Sequence, residues 1–174
     1  MTDVTVTVPD AAATRALGEA LAGVLRAGDL VLLSGSLGAG KTTLTQGIGA
    51  GLGVRGQVAS PTFIIARVHS ALGGGPDLVH VDAYRLGSFE EVDALDLDTS
   101  LEDSVTVVEW GEGKVEALAE DRLEVEVRRP RGGGNGAAGP EDLAGASPRE
   151  VRVTAVGARW AEADLAGVLA PWHL

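Results

Sequence analysis

Eight consecutive residues carry the clearest chemistry in this chain: Gly35-Ser36-Leu37-Gly38-Ala39-Gly40-Lys41-Thr42. They match the pattern Gly-x-x-x-x-Gly-Lys-Ser/Thr of a phosphate-binding loop. Glycines reach backbone conformations closed to other residues, so successive N–H groups can turn inward towards phosphate oxygens. A helix starting directly after the loop would point the positive end of its dipole at the same anions. Lys41 is then expected to reach the β- and γ-phosphates of a nucleoside triphosphate, and the Thr42 hydroxyl to ligate Mg²⁺. The chain holds 25 glycines, yet residue frequencies put one such match anywhere in it below roughly 1%.

A site of this kind needs a further acidic group at the end of a neighbouring strand, to hold Mg²⁺ or its waters. Two residues qualify. Asp82 closes Leu78-Val-His-Val-Asp82, and Glu109 closes Val105-Thr-Val-Val-Glu109. The second run is the more continuously apolar, as a central strand should be, which makes Glu109 the first choice and Asp82 the second. Guanine-specific enzymes read their base with Asn-Lys-x-Asp. The single asparagine here is Asn135, inside a Gly-rich stretch, so ATP is the expected nucleotide.

Other polar residues invite plainer readings. His69, His80 and His173 lack a metal-ligand spacing and are expected to be ordinary structural or surface histidines. Arg128, Arg129 and Arg131 could clamp phosphates as a lid does, but a solvated basic patch is the simpler reading.

These residues must be positioned by an ordered domain, and composition allows one. The chain has 174 residues, 45% of them apolar, which suits a single domain over 1–174. No cysteine is present, which excludes disulfides, thiolate metal sites and cysteine nucleophiles. Neither a secretory leader nor a run of about 18 apolar residues is found, so a cytoplasmic protein without membrane contact is expected. The net charge of −11, with two lysines among 14 basic residues, argues against a broad nucleic-acid-binding face.

Val4 to Val8 alternates as a strand does, and Asp10 can cap a helix from Ala11 to Ala27. Leu30 to Leu33 reads as a strand covered on both faces, leading into the loop and then a helix from Lys41 to Leu52 that Gly53 stops. Phe63–His69 and Leu78–Asp82 are strand-like and joined by a hairpin-like turn. A short helix over Ser88–Ala94 and a strand over Ser104–Trp110 follow. Strands around Leu123–Val127 and Val151–Ala155 each have one wet face, and Ala158–Leu169 reads as a closing helix. Residues 131–148 are too polar and Gly-rich to pack, and are expected to form a flexible loop. Together these elements imply an α/β domain with a mixed, partly parallel central sheet.

Four segments in this order resemble one family, the bacterial TsaE (YjeE) ATPases of tRNA threonylcarbamoyladenosine biosynthesis. They are Gly35-Ser-Leu-Gly-Ala-Gly-Lys-Thr-Thr43, Ser60-Pro-Thr-Phe63, His80-Val-Asp-Ala-Tyr-Arg-Leu86 and Val108-Glu-Trp110. Thr14, within Ala13-Thr-Arg-Ala-Leu-Gly18, is similar to a pattern near the family's N-terminus, and the resemblance spans about residues 10–128. It implies a three-layer P-loop NTPase-like fold in which Gly38 to Thr43 bind ATP and Thr42 and Glu109 hold Mg²⁺. Asp82 would help with the metal or the attacking water, Thr62 would sense the γ-phosphate, and Trp110 would lie near the nucleotide. The implied partners are the TsaD and TsaB proteins, with tRNA engaged only indirectly. The chain departs from the family at Ser36, where an acidic residue is usual, at Gly111, where Pro is frequent, and in the Gly-rich stretch 131–148. A small-molecule kinase of P-loop fold is the alternative.

Overall fold

The computed structural model describes residues 2–35, 40–54, 66–82, 102–109, 120–129 and 148–173. Seven strands form one sheet: β1 (Thr2–Val8), β2 (Leu30–Ser34), β3 (Ala66–His69), β4 (Asp77–Asp82), β5 (Ser104–Glu109), β6 (Arg122–Arg128) and β7 (Arg149–Val156). Their order is β1-β7-β6-β2-β5-β4-β3. The inner four, β6-β2-β5-β4, run parallel, and β1, β7 and β3 attach through antiparallel pairings. The sheet is therefore mixed and partly parallel, as expected of this α/β chain.

Hydropathy explains which strand lies where. The apolar runs of β2 and β5 lie side by side at the centre, where every residue of β5 and all of β2 except Ser34 is buried. On β6 and β7 the pattern alternates, with Leu123, Val125 and Val127 buried between partly exposed neighbours. The wet face of β6 is self-paired: Arg122 bonds Glu124 at 2.8 Å and Arg128 bonds Glu126 at 2.6 Å. Arg128 is thus half-exposed and engaged on the sheet surface, which suits the solvated-patch reading rather than a lid. Strand β1 is tied at the edge by an Asp3–Arg152 ion pair.

Two helices, α1 (Ala11–Ala22) and α2 (Lys41–Leu52), pack together against one face of the sheet. Leu17 and Leu21 of α1 and Leu44 and Ile48 of α2 join Val31, Leu33, Val107, Leu123 and Val125 in the core. Asp10 caps α1 by accepting from Ala13 N at 2.8 Å. Between the helices no side chain intervenes at the closest point. A Cβ on Gly18 would lie 2.3 Å from Leu44 O, and one on Gly47 would lie 2.1 Å from Arg15 O.

The sheet reading and α2 agree with the sequence analysis, but two helices do not. Helix α1 stops at Ala22 rather than Ala27, because the Asp29 carboxylate accepts from Arg26 N at 2.8 Å and folds 26–29 into a turn. The closing segment is not one helix. A 3-10 turn at Ala158–Trp160 is followed by the short α3 (Leu165–Leu169) and a second 3-10 turn at Ala170–Trp172. Asp164 restarts the chain as an N-cap, accepting from Gly167 N at 2.9 Å, so the two halves cannot be continuous. The helix expected at Ser88–Ala94 and the loop at 131–147 lie outside the described residues.

Arg159, in the first of these turns, locks the closing segment to the connection between α1 and β2. Its guanidinium donates to Asp29 Oδ1 and Oδ2 at 3.1 and 2.9 Å and to Val24 O at 2.7 Å, and lies 4.3 Å from the Trp160 ring centroid. Asp29 is 5% exposed, so removing the guanidinium would leave a buried carboxylate without its countercharge, still accepting from Arg26 N. Arg159→Met keeps the apolar stem and removes the charge. It is expected to lower the unfolding free energy by about 2–3 kcal/mol, the scale of lost charged hydrogen bonds, read from the urea midpoint at unchanged slope.

Candidate functional site

The parallel strands end together beside the start of α2, and this edge collects the residues singled out for chemistry. Strand β2 runs into Gly35, whose φ of 140° is closed to most side chains, and the described chain resumes at Gly40 with φ 114°. Gly40 is the N-cap of α2, and Leu44 N donates back to its carbonyl at 3.0 Å. Two positive-φ glycines therefore bracket the loop, as a backbone turned around an anion requires. Gly38 and Ala39 fall outside the described residues.

Lys41 is the first residue of α2 and is 6% exposed. Its Nζ donates to Gly35 O at 2.7 Å, so the lysine folds back across the mouth of the loop. Burial pushes its ammonium below the usual lysine range, and the Glu109 and Asp82 carboxylates oppose that shift. Both acids thus act on the same cation. Thr42 and Thr43 follow in the first turn of α2, partly exposed, while Thr45 is buried and its hydroxyl donates to Lys41 O at 2.9 Å. Thr14, 2% exposed on α1, places its methyl next to Gly40.

Glu109 and Asp82 are register partners at the last positions of β5 and β4. Glu109 also registers with Leu33 of β2, the second residue before the loop. Alternation puts Leu33, Asp82 and Glu109 on the face that α1 and α2 cover. Two carboxylates directly opposite each other on neighbouring strands repel, so this arrangement is unfavourable without a cation. Lys41 offsets part of it. With the Thr42 hydroxyl at the head of α2, the donor set is all hard oxygen, the kind that suits Mg²⁺. Among the described residues no three His, Asp or Glu side chains form a metal-binding group, so such an ion would depend on Thr42, nucleotide oxygens and water for its remaining ligands.

One further residue belongs to this cluster, a histidine expected to be an ordinary structural or surface one. His80 is fully buried, and its Nε2 lies 2.8 Å from Glu109 Oε2. Period-two alternation would have found part of this, since it puts His80 on the face of Asp82; the link to Glu109 needs the β4–β5 register. His69 is a buried residue at the end of the edge strand β3, and His173 is exposed just after the last 3-10 turn. Thr62, with the segment Ser60–Phe63, and Trp110 lie outside the described residues.

Comparison with known proteins shows the family and the fold. The family described as "Threonylcarbamoyl adenosine biosynthesis protein TsaE" matches residues 8–134. A tRNA threonylcarbamoyladenosine biosynthesis protein TsaE of Streptomyces coelicolor is 62% identical over 152 residues, covering 87% of this chain and 96% of its own length. One from Mycobacterium tuberculosis is 49% identical over 132 residues, 72% of this chain and 79% of the relative. Among solved structures, that of YdiB from Bacillus subtilis superposes with a TM-score of 0.65 at 28% identity, covering 92% of this chain and 90% of that one. The small-molecule kinase reading is not favoured by any of these.

Proposed function

Because this chain belongs to the TsaE family, and so to tRNA threonylcarbamoyladenosine biosynthesis, we propose that it binds and hydrolyses ATP at the Gly35–Thr42 loop. The observation that carries this is the convergence of Lys41, Glu109 and Asp82 where the parallel strands end beside the loop. In open α/β sheets ligands bind at that edge.

Each residue has a task. Loop N–H groups and the head of α2 surround the phosphates, and Lys41 exchanges its contact with Gly35 O for the β- and γ-phosphate oxygens. Gly38, Ala39, Gly40 and Thr43 line the nucleotide, with Trp110 close by. Thr42 and Glu109 would hold Mg²⁺, which when bound neutralises charge on the β- and γ-phosphates. Asp82 either shares that ion or orients the attacking water. Water adds to the γ-phosphorus, the bond to the ADP oxygen breaks, and ADP, phosphate and a proton leave. Thr62 would sense the γ-phosphate, and Ser60–Phe63 would be the switch that responds as that group comes and goes.

The hydrolysis serves the TsaD–TsaB pair, with tRNA engaged through those partners in the cytoplasm. The chain's charge of −11 supports an indirect role, since phosphate backbones are gripped mainly by Lys and Arg. No described helix is long and apolar enough to cross a membrane. ATP turnover should be measured on the pure protein, with TsaD and TsaB added, and with small hydroxylated acceptors. The partners are expected to change turnover and the acceptors to leave it unchanged. Turnover indifferent to the partners but strongly raised by an acceptor would overturn the proposal.

A further inference from the structure

His80 occupies the middle of β4 in register with Val107, and Asp82 and Glu109 face each other two residues further on. The His80–Glu109 contact is thus the diagonal of a parallel pair, a span that a ring and a long carboxylate side chain can bridge. Both side chains are desolvated, at 0% and 4% exposure. Among the described residues the other ring nitrogen, Nδ1, has no hydrogen-bond partner. A ring proton on Nε2 faces an acceptor at 2.8 Å, whereas one on Nδ1 would be buried unpaired. The tautomer with Nε2–H donating to Glu109 is therefore the one this packing selects.

From this geometry we infer that His80 is a positioning residue: its Nε2–H holds Oε2 of Glu109 and leaves Oε1 for the nucleotide-bound Mg²⁺ or its water. The inference rests on the proposed role of Glu109. Glu has three rotatable side-chain bonds, and fixing one carboxylate oxygen in a buried bond removes most of that freedom before nucleotide arrives. A histidine buried only for packing could give its N–H to any acceptor, a backbone carbonyl included, whereas here it goes to Glu109 Oε2.

The test compares His80→Leu, which keeps apolar volume but cannot donate, with His80→Gln, whose amide can donate from about the place of Nε2. For each variant, kcat and KM for ATP are measured. The Mg²⁺ concentration that half-saturates binding of a fluorescent ADP analogue is measured alongside them. His80→Leu is expected to lower kcat by about 10–100-fold with KM within about threefold, and to raise the half-saturating Mg²⁺ by about tenfold. His80→Gln should recover most of both losses. Wild-type kcat and Mg²⁺ dependence in His80→Leu, or a His80→Gln protein no better than His80→Leu, would overturn the inference. Should His80→Leu fail to fold, His80→Gln decides alone: near wild-type Mg²⁺ dependence supports the role, and a loss equal to that of Glu109→Gln overturns it. Glu109→Gln separates the two levels of argument. If it hydrolyses as the wild type does, the role of Glu109 itself fails; if it is inactive while His80→Leu is unimpaired, only the positioning role fails.

Discussion

Replacing Glu109 with Ala is expected to cut ATP hydrolysis by about 10²–10³-fold or more, while nucleotide affinity falls by less than about tenfold. The asymmetry follows from position. In the proposed site the nucleotide would be held by the loop backbone, Lys41 and the start of α2, none of which Glu109 builds. Glu109 contributes a charge that acts on Lys41 at the strand ends, and in the proposed reaction it would act on groups whose charge changes as the γ-phosphate departs. Glu109→Ala also strands His80 Nε2–H in a dry site, so some of its effect would be structural. Glu109→Gln removes the charge, keeps the volume and still offers His80 an amide oxygen. The two variants should therefore share the catalytic loss, and only Glu109→Ala should show a lowered Tm. Asp82→Asn supplies the comparison. If it is the more damaging change and Glu109→Gln retains activity, the roles of the two carboxylates must be exchanged.

Much of this site could be read from the chain because its signals are local. The loop pattern lies within eight residues, and the helix after it ends at Gly53, which takes a left-handed φ of 70°. The two candidate carboxylates stand where apolar runs stop, and the structure pairs those ends in register. What was not legible depends on partners distant in sequence. His80 and Glu109 are 29 residues apart, and nothing short of the β4–β5 register shows that they touch. The end of α1 at Ala22 has the same cause. Val24 and Leu25 continue its apolar periodicity, but Asp29 captures Arg26 N and, with Arg159 from 130 residues away, fixes a turn there instead. At the C-terminus Ala158–Leu169 has helical composition, but the cap at Asp164 and the tether at Arg159 divide it.

The close crossing of α1 and α2 belongs to the same class, and its expected effect on folding matches that of the Arg159 tether. Gly47→Ala puts two terms in opposition. Helix propensity alone favours Ala over Gly inside a helix by about 1 kcal/mol. Packing opposes it, because the new Cβ would lie 2.1 Å from Arg15 O, 2.9 Å from Arg15 C and 3.0 Å from Gly18 Cα. All three are backbone atoms of a neighbouring helix, so no side chain can swing aside; the helices must separate. Overpacking of this kind costs about 1–3 kcal/mol and occasionally more, and the severity of a contact near 2 Å puts this case at the upper end. Packing wins, and Gly47→Ala should destabilise the protein by about 2–3 kcal/mol net of propensity. Gly74→Ala is the matched control, since a Cβ there meets nothing within 4 Å, and its urea midpoint should stay near that of the wild type. A functional consequence follows from the same geometry. Helix α2 carries Lys41 and Thr42 on its first turn, and Thr14 of α1 abuts Gly40, so moving α2 away from α1 displaces the loop's helical wall. Gly47→Ala should therefore weaken nucleotide binding even at temperatures where the variant remains folded. Unchanged stability would show that the helices can part without cost, and unchanged nucleotide affinity would show that their crossing does not set the position of Lys41.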